Sequence, residues 1–308
     1  MPVFDGERFL DEALAAVCAQ DADGLEILVS DNGSTDASLE IARDWAARDS
    51  RVRVLVSDVN RGGTWNFNRL LEAARAPLFK WAPADDVIAP SFVSRCIETL
   101  SAEPLAVAVL PRTVYIDEAG AVIEERQDLE LGLDAPSPHE RLDRLLSGMV
   151  AHVMYGLLGT ETLRAIGGVR RGPGADWAIG AQLCMLGKIV LVPEQLMMQR
   201  RHGGQSNGSG AEIVAWDNPG ATGRTVSFGL ANLSINAALA SAVRSVRLPL
   251  DERTRCAATV LRTWTLPRLP GALATDVFDM VGATWPPDWV RRWRAARARR
   301  ALPVGADG

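Results

Sequence analysis

Apolar and polar positions follow two alternating periods between residues 7 and 110. Apolar residues that recur every three to four positions predict helices, and the short apolar runs between them predict buried strands. The predicted order is helix "ERFLDEALAAVCAQ", strand "LEILVSD", helix "STDASLEIARDWAARD", strand "VRVLVSD", helix "TWNFNRLLEAARA" and strand "PLFKWAP". Ser34 and Thr35 are the expected caps of the second helix. This alternation predicts an α/β fold, a parallel sheet with helices on both faces.

The pattern changes after residue 105, where two apolar runs around the turn "DEAG" predict a hairpin. The following predicted segments are helix "HERLDRLLSGMV", strand "YGLLGT", helix "ETLRAIGGV", a loop and helix in "GPGADWAIGAQLCMLG", and strand "KIVLVPEQLMMQRRHGGQS". Residues 206–224 are rich in Gly, Ser and Asn and predict a flexible loop or linker. We expect an α/β domain over 1–205 and a helical C-terminal extension over 225–308 that ends in a basic tail.

The composition is that of a globular protein with a sizeable core, since 47% of the 308 residues are hydrophobic and 23% are charged. No apolar run reaches the length of about 18 residues that a membrane span needs, and no signal peptide is visible, so we expect a cytoplasmic location. The four cysteines lie far apart, which predicts free thiols rather than a zinc site or disulfides.

Negative charge dominates the chain, whose net charge is −5, but the tail "WPPDWVRRWRAARARR" is basic. An acidic body argues against nucleic acid as the main partner. The tail has the composition of an amphipathic helix that lies on an anionic membrane surface, which would place the protein at the inner face of the membrane. The alternative is that its tryptophans pack on the body and its arginines pair with acidic side chains there.

Polar clusters follow three predicted strands, in "SDNGSTD", "SDVNRGG" and "PADD". Ligands bind outside the carboxyl ends of such strands, so Asp31, Asn60, Asp85 and Asp86 should meet at one edge of the sheet. Two adjacent acids are unfavourable unless a cation lies beside them, which predicts a metal ion. The alternative is that the Asn- and Gly-containing segments only make turns.

Several segments resemble the family 2 glycosyltransferases, which have the GT-A fold. The N-terminal matches are "MPVFDGERFLDEAL", "ILVSDNGSTD", "NRGGTWNFN" and "KWAPADDVIAP", and "GADWAIGAQLCMLG" and "RRHGGQS" look like acceptor-side segments of that family. The resemblance covers residues 1–205 and implies a nucleotide-binding half at 1–104 and an acceptor-side half at 105–205, with a mixed, mostly parallel sheet. It implies transfer of a sugar, with inversion, from a UDP-, GDP- or dTDP-linked donor to a glycan or lipid-linked acceptor.

The same resemblance assigns roles to individual residues. The nucleotide-sugar site would contain Pro2, Phe4, Asp31, Asn60, Asn68 and Asp85. Asp86 and His202 would hold a divalent cation, Mn²⁺ or Mg²⁺, which stabilises the charge of a diphosphate leaving group. Asp176 would be the catalytic base, because inversion needs one base on the far side of the sugar, and Trp177 would contact the acceptor.

Each of the last assignments has a structural alternative. Asp176 could serve only to stabilise the start of a helix, Trp177 could be a core residue, and His202 could be a surface residue. At the level of function, the alternatives are a nucleotidyltransferase and a non-catalytic sugar-binding module of the same fold. A dehydrogenase is not indicated, because no GxGxxG follows a predicted strand.

The chain also departs from the family pattern. Pro83 stands where many members have another acid, Phe67 stands where many have an arginine, and Asp5 replaces an asparagine. We therefore expect different phosphate contacts and more negative charge near the nucleotide. Members usually have four to six apolar residues before the equivalent of "PV", so we also expect that the first strand begins upstream of Met1.

Overall fold

The computed structural model describes residues 1–125, 131–148, 152–203, 216–219 and 231–269, which form two sheets and the helices around them. The strands are β1 (Pro2–Val3), β2 (Ile27–Asp31), β3 (Val52–Val56), β4 (Leu78–Phe79), β5 (Val87–Ile88), β6 (Ala106–Ile116), β7 (Val122–Glu125), β8 (Leu157–Gly159) and β9 (Lys188–Arg200). The helices are α1 (Glu7–Cys18), α2 (Ser38–Arg48), α3 (Gly63–Ala73), α4 (Phe92–Ala102), α5 (Pro138–Ser147), α6 (Thr160–Ala165), α7 (Ala175–Leu186), α8 (Ala231–Ser245) and α9 (Leu250–Thr259). A 3₁₀ turn at His152–Tyr155 precedes β8, and a π-helical turn at Val260–Thr265 continues α9.

The first sheet has the order β1-β2-β3 and is parallel throughout. Every residue of β2 is buried, and α1 packs its buried apolar face into the same core. Val3 lies opposite Asp31, and Asp31 lies opposite Val56, so the carboxyl ends of the three strands are neighbours. The predicted alternation of helix and strand is confirmed here.

The second sheet has the order β4-β8-β6-β9-β5, and β7 pairs with β6 as the predicted hairpin. The long pairing of β6 with β9 is parallel, whereas the shorter pairings of this sheet are antiparallel. The predicted strand at 77–83 is reduced to two residues. The reason is that Trp81 turns into the core, where it is fully buried and its Nε1 donates a hydrogen bond to the carbonyl oxygen of Phe67 at 3.1 Å.

The helix α7 is central to the core, because nearly all of its residues are buried. A helix that is apolar all round needs neighbours on every side, and α5, α8 and the sheets supply them. Arg141 of α5 satisfies the end of α7 by donating from Nε to the carbonyl oxygen of Cys184 at 2.7 Å. The C-terminal helices α8 and α9 belong to the same apolar cluster as α7.

Two sequence predictions are corrected or fall outside the described residues. The helix α2 begins at Ser38, so Ser34 and Thr35 are not its caps; instead Asp36 accepts a hydrogen bond from the Ser38 N–H at 3.0 Å. Residues 225–230 and 270–308 of the predicted helical extension, including the basic tail, and the segment 206–224 apart from 216–219 lie outside the described residues. Within the described ranges, no helix has the length and apolar character that crossing a membrane requires.

Candidate active site

Asp31 is the last residue of β2, and its buried side chain has one unpaired oxygen. Oδ2 accepts hydrogen bonds from the N–H groups of Gly33 at 3.2 Å and Ser34 at 3.4 Å. Oδ1 is buried and has no hydrogen-bond partner among the described residues. A buried carboxylate oxygen without a partner is costly, which makes Oδ1 of Asp31 a candidate acceptor for an N–H of a ligand.

Asn60 lies in the loop between β3 and α3, and its amide oxygen organises that loop. The oxygen accepts hydrogen bonds from Nδ2 of Asn32 and from the N–H of Gly62, both at 2.9 Å. Gly62 has a φ of +88°, a conformation that favours glycine. The structure therefore gives the Asn60 oxygen the turn role, next to the strand end that carries Asp31, and a direct contact with the nucleotide sugar stays a prediction.

The other predicted nucleotide-sugar residues differ in what their side chains can reach. Phe4 follows β1 and is 46% exposed, whereas Pro2 is buried in β1. Asn68 is engaged elsewhere, because its Nδ2 donates to the carbonyl oxygen of Val169 at 2.7 Å and its Oδ1 accepts from the N–H of Val169 at 2.8 Å. Asn68 thus ties α3 to the acceptor-side half, and its contact with the nucleotide sugar stays a prediction.

The acid pair divides its contacts between two residues at the end of β9. Oδ2 of Asp85 lies 3.0 Å from Nε2 of His202. Asp86 is buried, and its Oδ1 accepts a hydrogen bond from the N–H of Arg200 at 2.9 Å. Burial, reinforced by the neighbouring Asp85, raises the pKa of Asp86 well above its ordinary range. Asp85 is therefore the more accessible carboxylate of the two, and Asp86 supports the loop.

Arg200 is a fully buried cation that connects four parts of the site. Its Nε donates to the carbonyl oxygen of Asp85 at 2.9 Å, and its guanidinium also donates to the carbonyl oxygens of Asp117 at 3.1 Å and Glu118 at 3.0 Å. A further nitrogen pairs with Oε2 of Glu12 on α1 at 2.5 Å. A buried charge is stable only when it is paired and hydrogen-bonded, so Arg200 fixes these elements relative to one another.

Tyr155 has a buried hydroxyl whose pKa is raised. Burial raises the pKa of its hydroxyl, and the carboxylates of Asp86, Asp176 and Asp85 raise it further, so the hydroxyl stays neutral and remains a hydrogen-bond donor. The Tyr155 carbonyl oxygen accepts a hydrogen bond from Nζ of Lys80 at 2.6 Å. Burial lowers the pKa of Lys80 to about 8, while Asp86 opposes this effect. Lys80 thus anchors the backbone of Tyr155 beside the acid pair.

Asp176 lies in the first turn of α7, which follows Gly174 in its left-handed conformation with a φ of +86°. Burial raises the pKa of the Asp176 carboxyl, and the N–H of Trp177, which donates to Oδ1 at 2.8 Å, opposes the rise. Trp177 itself is only 8% exposed, and its ring centroid lies 4.4 Å from that of Trp264. This burial under the C-terminal extension favours the alternative that Trp177 is a core residue, and its acceptor-side role stays a prediction.

The donor atoms of Asp85 and His202 suit a divalent cation. Adjacent ligands of an octahedral ion with bonds of about 2.1 Å lie about 3.0 Å apart. This is the separation of Oδ2 of Asp85 and Nε2 of His202. The described residues contain no group of three or more His, Cys, Asp or Glu side chains that could hold a metal, so substrate oxygens or water would complete the coordination.

Sequence patterns did not single out Arg200, Tyr155, Lys80 or Glu12. Arg200 is in the quoted segment "RRHGGQS", but no pattern in the sequence shows that this arginine, and not the adjacent one, is fully buried. Tyr155 follows a predicted helix without any motif. A lysine in an apolar run, such as Lys80 in "PLFKWAP", is the one signal that could have been used, because lysine is rarely buried without a reason.

Comparison with known proteins shows the family and the fold of the chain. The model of the family described as "Glycosyl transferase family 2" matches residues 1–154, which is half of the chain. An uncharacterized glycosyltransferase of Haemophilus influenzae is 24% identical over 220 residues. That match covers 66% of this chain and 65% of the relative, so the chain spans slightly less than two thirds of the relative's length.

Two solved structures have a similar fold. The structure of S. aureus TarS 1–349 has a TM-score of 0.62 at 13% identity, over 97% of this chain and 86% of that one. The mannosyltransferase PcManGT from Pyrobaculum calidifontis, in complex with GDP-Man and Mn²⁺, has a TM-score of 0.53 at 20% identity, over 98% of this chain and 79% of that one. TarS 1–349 has also been solved in complex with UDP-GlcNAc. At these identities the likeness concerns the fold.

Proposed function

Because the chain belongs to glycosyl transferase family 2 and has the GT-A fold, we propose that it transfers a sugar from a nucleoside diphosphate donor to an acceptor hydroxyl with inversion. The observation that carries the proposal is the pairing of Asp85 with His202 at 3.0 Å, beside the buried Asp86, which Arg200 binds at the end of β9. The same fold supports sugar-nucleotide binding in TarS and PcManGT, whose structures contain UDP-GlcNAc and GDP-Man.

The donor nucleoside would bind at the carboxyl ends of β1 and β2. The unpaired Oδ1 of Asp31 is a suitable acceptor for an N–H of the base, and the exposed ring of Phe4 is available to lie against it. Uracil, thymine and guanine each offer a ring N–H, in agreement with UDP-, dTDP- or GDP-linked donors. The identity of the sugar stays a prediction to be tested with a panel of donors.

Asp85 and His202 would hold the divalent cation, and the metal role predicted for Asp86 passes in our proposal to Asp85. The physical reason is access, since Asp86 is buried and one of its oxygens is already bound by Arg200. The cation neutralises charge on the diphosphate leaving group when it is bound. The PcManGT complex with Mn²⁺ supports a metal-assisted reaction for this fold.

Asp176 is the proposed base. Its carboxylate takes the proton of the acceptor hydroxyl while that oxygen bonds to the anomeric carbon and the bond from this carbon to the diphosphate oxygen breaks. Burial raises the pKa of Asp176 towards neutral pH. A carboxylate with a higher pKa is a stronger base and accepts a proton more readily. The neutral hydroxyl of Tyr155 can donate a hydrogen bond among the three acids. The acceptor class, a glycan or lipid-linked sugar, and the cytoplasmic location stay predictions.

Donor turnover without an acceptor tests the proposal, because water can replace the acceptor hydroxyl. UDP-GlcNAc, GDP-mannose and dTDP-glucose are mixed with the full chain and Mn²⁺, and release of nucleoside diphosphate is followed. We expect slow release from one of them, and Asp176→Asn should abolish release while it retains the thermal shift that donor binding produces. Release of pyrophosphate from a nucleoside triphosphate and sugar phosphate would indicate a nucleotidyltransferase. Binding without any turnover would indicate a sugar-binding module.

A further inference from the structure

The short segment Trp216–Asp217 lies directly on the start of α3, where the chain has two consecutive glycines. A Cβ atom built on Gly63 would overlap the Trp216 ring, and one built on Gly62 would overlap the Asp217 carbonyl oxygen. The Trp216 ring also meets Phe67 of α3 edge-on, with centroids 5.8 Å apart. The glycines thus provide the space in which this segment packs against α3.

The carboxylate of Asp217 joins two loops of different halves of the domain. The side chain is 8% exposed. Its Oδ1 accepts a hydrogen bond from the N–H of Thr64 at 3.1 Å, at the start of α3, and its Oδ2 accepts one from the N–H of Gly172 at 3.0 Å. Both oxygens are therefore occupied by backbone donors.

The loop bound by Asp217 leads directly into the first turn of α7. Gly172 lies four positions before Asp176, and Gly174 between them begins the helix in a left-handed conformation with a φ of +86°. Thr64 adds a second tie to this loop, since its Oγ1 donates to the carbonyl oxygen of Arg170 at 3.3 Å. The location of Asp176 relative to the nucleotide half therefore depends on contacts made at α3.

We propose that Asp217 is a positioning residue that sets the candidate base Asp176 against the nucleotide half of the site. This role rests on the proposed function, because it acts through the base of that reaction. Trp216 holds Asp217 in place by filling the space over the two glycines. The carboxylate then fixes Gly172, and a displacement of about 1 Å at a catalytic group is enough to lower a rate by about 100-fold.

Three full-length variants test the proposal. Asp217→Asn keeps the volume but turns an amide N–H₂ towards one of the two backbone donors. Gly63→Ala leaves Asp217 intact but expels Trp216 from its place. Asp49→Asn is the matched control, since Asp49 also accepts a backbone hydrogen bond, from Arg51 at 2.9 Å, but precedes the amino end of β3. Hydrogen exchange of 172–178 and the kcat and KM of UDP-GlcNAc or GDP-mannose hydrolysis with Mn²⁺ are measured for each.

We expect faster exchange at 172–178 and a kcat lowered by about tenfold or more in both site variants, with a donor KM within about twofold of the parent. The control should change neither. Unchanged exchange at 172–178 in Asp217→Asn overturns the proposal, and so does faster exchange with an unchanged kcat. If the parent binds donors but never turns them over, the proposed function is wrong. The positioning role of Asp217 in catalysis is then wrong too, even if hydrogen exchange at 172–178 changes as expected.

Discussion

Asp85 and Asp86 are neighbours in the sequence, yet their side chains have different surroundings. Asp85 lies beside the imidazole of His202, and its side chain is 30% exposed. Asp86 is enclosed, and the backbone of Arg200 takes one of its oxygens. Asp85 is thus available to a ligand, whereas Asp86 holds the loop in place. Substituting each in turn should therefore give two distinct phenotypes.

Asp85→Asn should remove a metal ligand, and Asp86→Asn should remove only its support. Loss of a supporting partner costs about 10- to 100-fold in metal affinity, so we expect a loss in that range for Asp86→Asn and a larger one for Asp85→Asn. Titration of Mn²⁺ by electron paramagnetic resonance measures both. Asp58→Asn, at the exposed end of β3, is the matched control and should bind Mn²⁺ like the parent. A larger loss of Mn²⁺ affinity in Asp86→Asn than in Asp85→Asn would show that Asp86 is the metal ligand.

Lys80 offers a pH test of burial next to the site. Burial lowers the pKa of Lys80 from 10.5 to about 8. The buried charge therefore destabilises the folded state; this destabilisation is complete below pH 8 and is absent above pH 10.5. The free energy of unfolding of the parent, relative to Lys80→Met, should therefore rise between pH 8 and 10.5 by at most about 3 kcal/mol. Urea denaturation of both proteins across this range measures the difference, and a difference that stays constant would contradict the burial of the cation.

At the scale of elements, α3 makes the most varied contacts of the nucleotide half. Its start receives Trp216 and Asp217, its middle binds Val169 through Asn68, and Arg69 donates to the carbonyl oxygen of Val56 at 2.9 Å. Thr64 and Asn68 are four residues apart and share one face of the helix, whereas Arg69 lies about 100° away from Asn68. A single helix can therefore connect β3, the loop before α7 and the C-terminal side of the chain.

Asn68→Ala separates a structural role from a binding role on this helix. The substitution leaves the N–H and carbonyl oxygen of Val169 without their side-chain partner, and each unsatisfied buried group costs about 1–3 kcal/mol. We expect the free energy of unfolding to fall by about 2 kcal/mol while the thermal shift caused by a bound donor stays that of the parent. A loss of donor affinity larger than the loss of stability would restore the nucleotide-sugar role predicted from the sequence.

The sequence predicted most elements, because helices such as α1 and strands such as β2 have an apolar pattern of their own. It overestimated β4 and gave no sign of β5, because strands of two residues depend on their partners rather than on their own pattern. It also placed Asp31 correctly at the end of a buried strand, since strand ends follow from the strands. It could not divide the roles of Asp85 and Asp86, because Arg200, which decides between them, lies 115 and 114 positions away. The sequence also left the burial of Trp177 open for the same reason, since the Trp264 that covers it belongs to the C-terminal extension.

At the scale of the whole molecule, the C-terminal helices and the α/β domain share one apolar core. Ala238, Leu239 and Ala242 of α8 and Cys256 of α9 are buried with the residues of α7. His139 at the start of α5 pairs with Glu252 of α9 at 2.7 Å. Elements that bury the same apolar surface lose that burial together when one of them is released. The extension should therefore unfold with the domain rather than before it.

Trp264→Ala tests this cooperativity. Removing a buried tryptophan side chain costs about 3–5 kcal/mol, and the loss should appear in one transition that involves the whole described core. Urea unfolding is followed by tryptophan fluorescence and by far-ultraviolet circular dichroism, whose midpoints should coincide and move together. Leu250→Ala, at a side chain that is 77% exposed, is the control and should leave the midpoint unchanged. Two separate transitions in the parent would contradict a shared core.

The bond between Arg200 and Glu12 has a consequence for the order of events on the ribosome. The two residues are 188 positions apart. A ribosome that adds about 5–20 residues per second needs about 10–40 s to make the chain between them. For the last 114 of these positions the acid pair has been synthesised as well as Glu12, but their buried cation has not. A nascent chain shorter than 202 residues also lacks His202. Asp85 and His202, the candidate metal ligands, can therefore come together only late in synthesis. Until then the acid pair lacks the buried Arg200 that holds it in the folded protein.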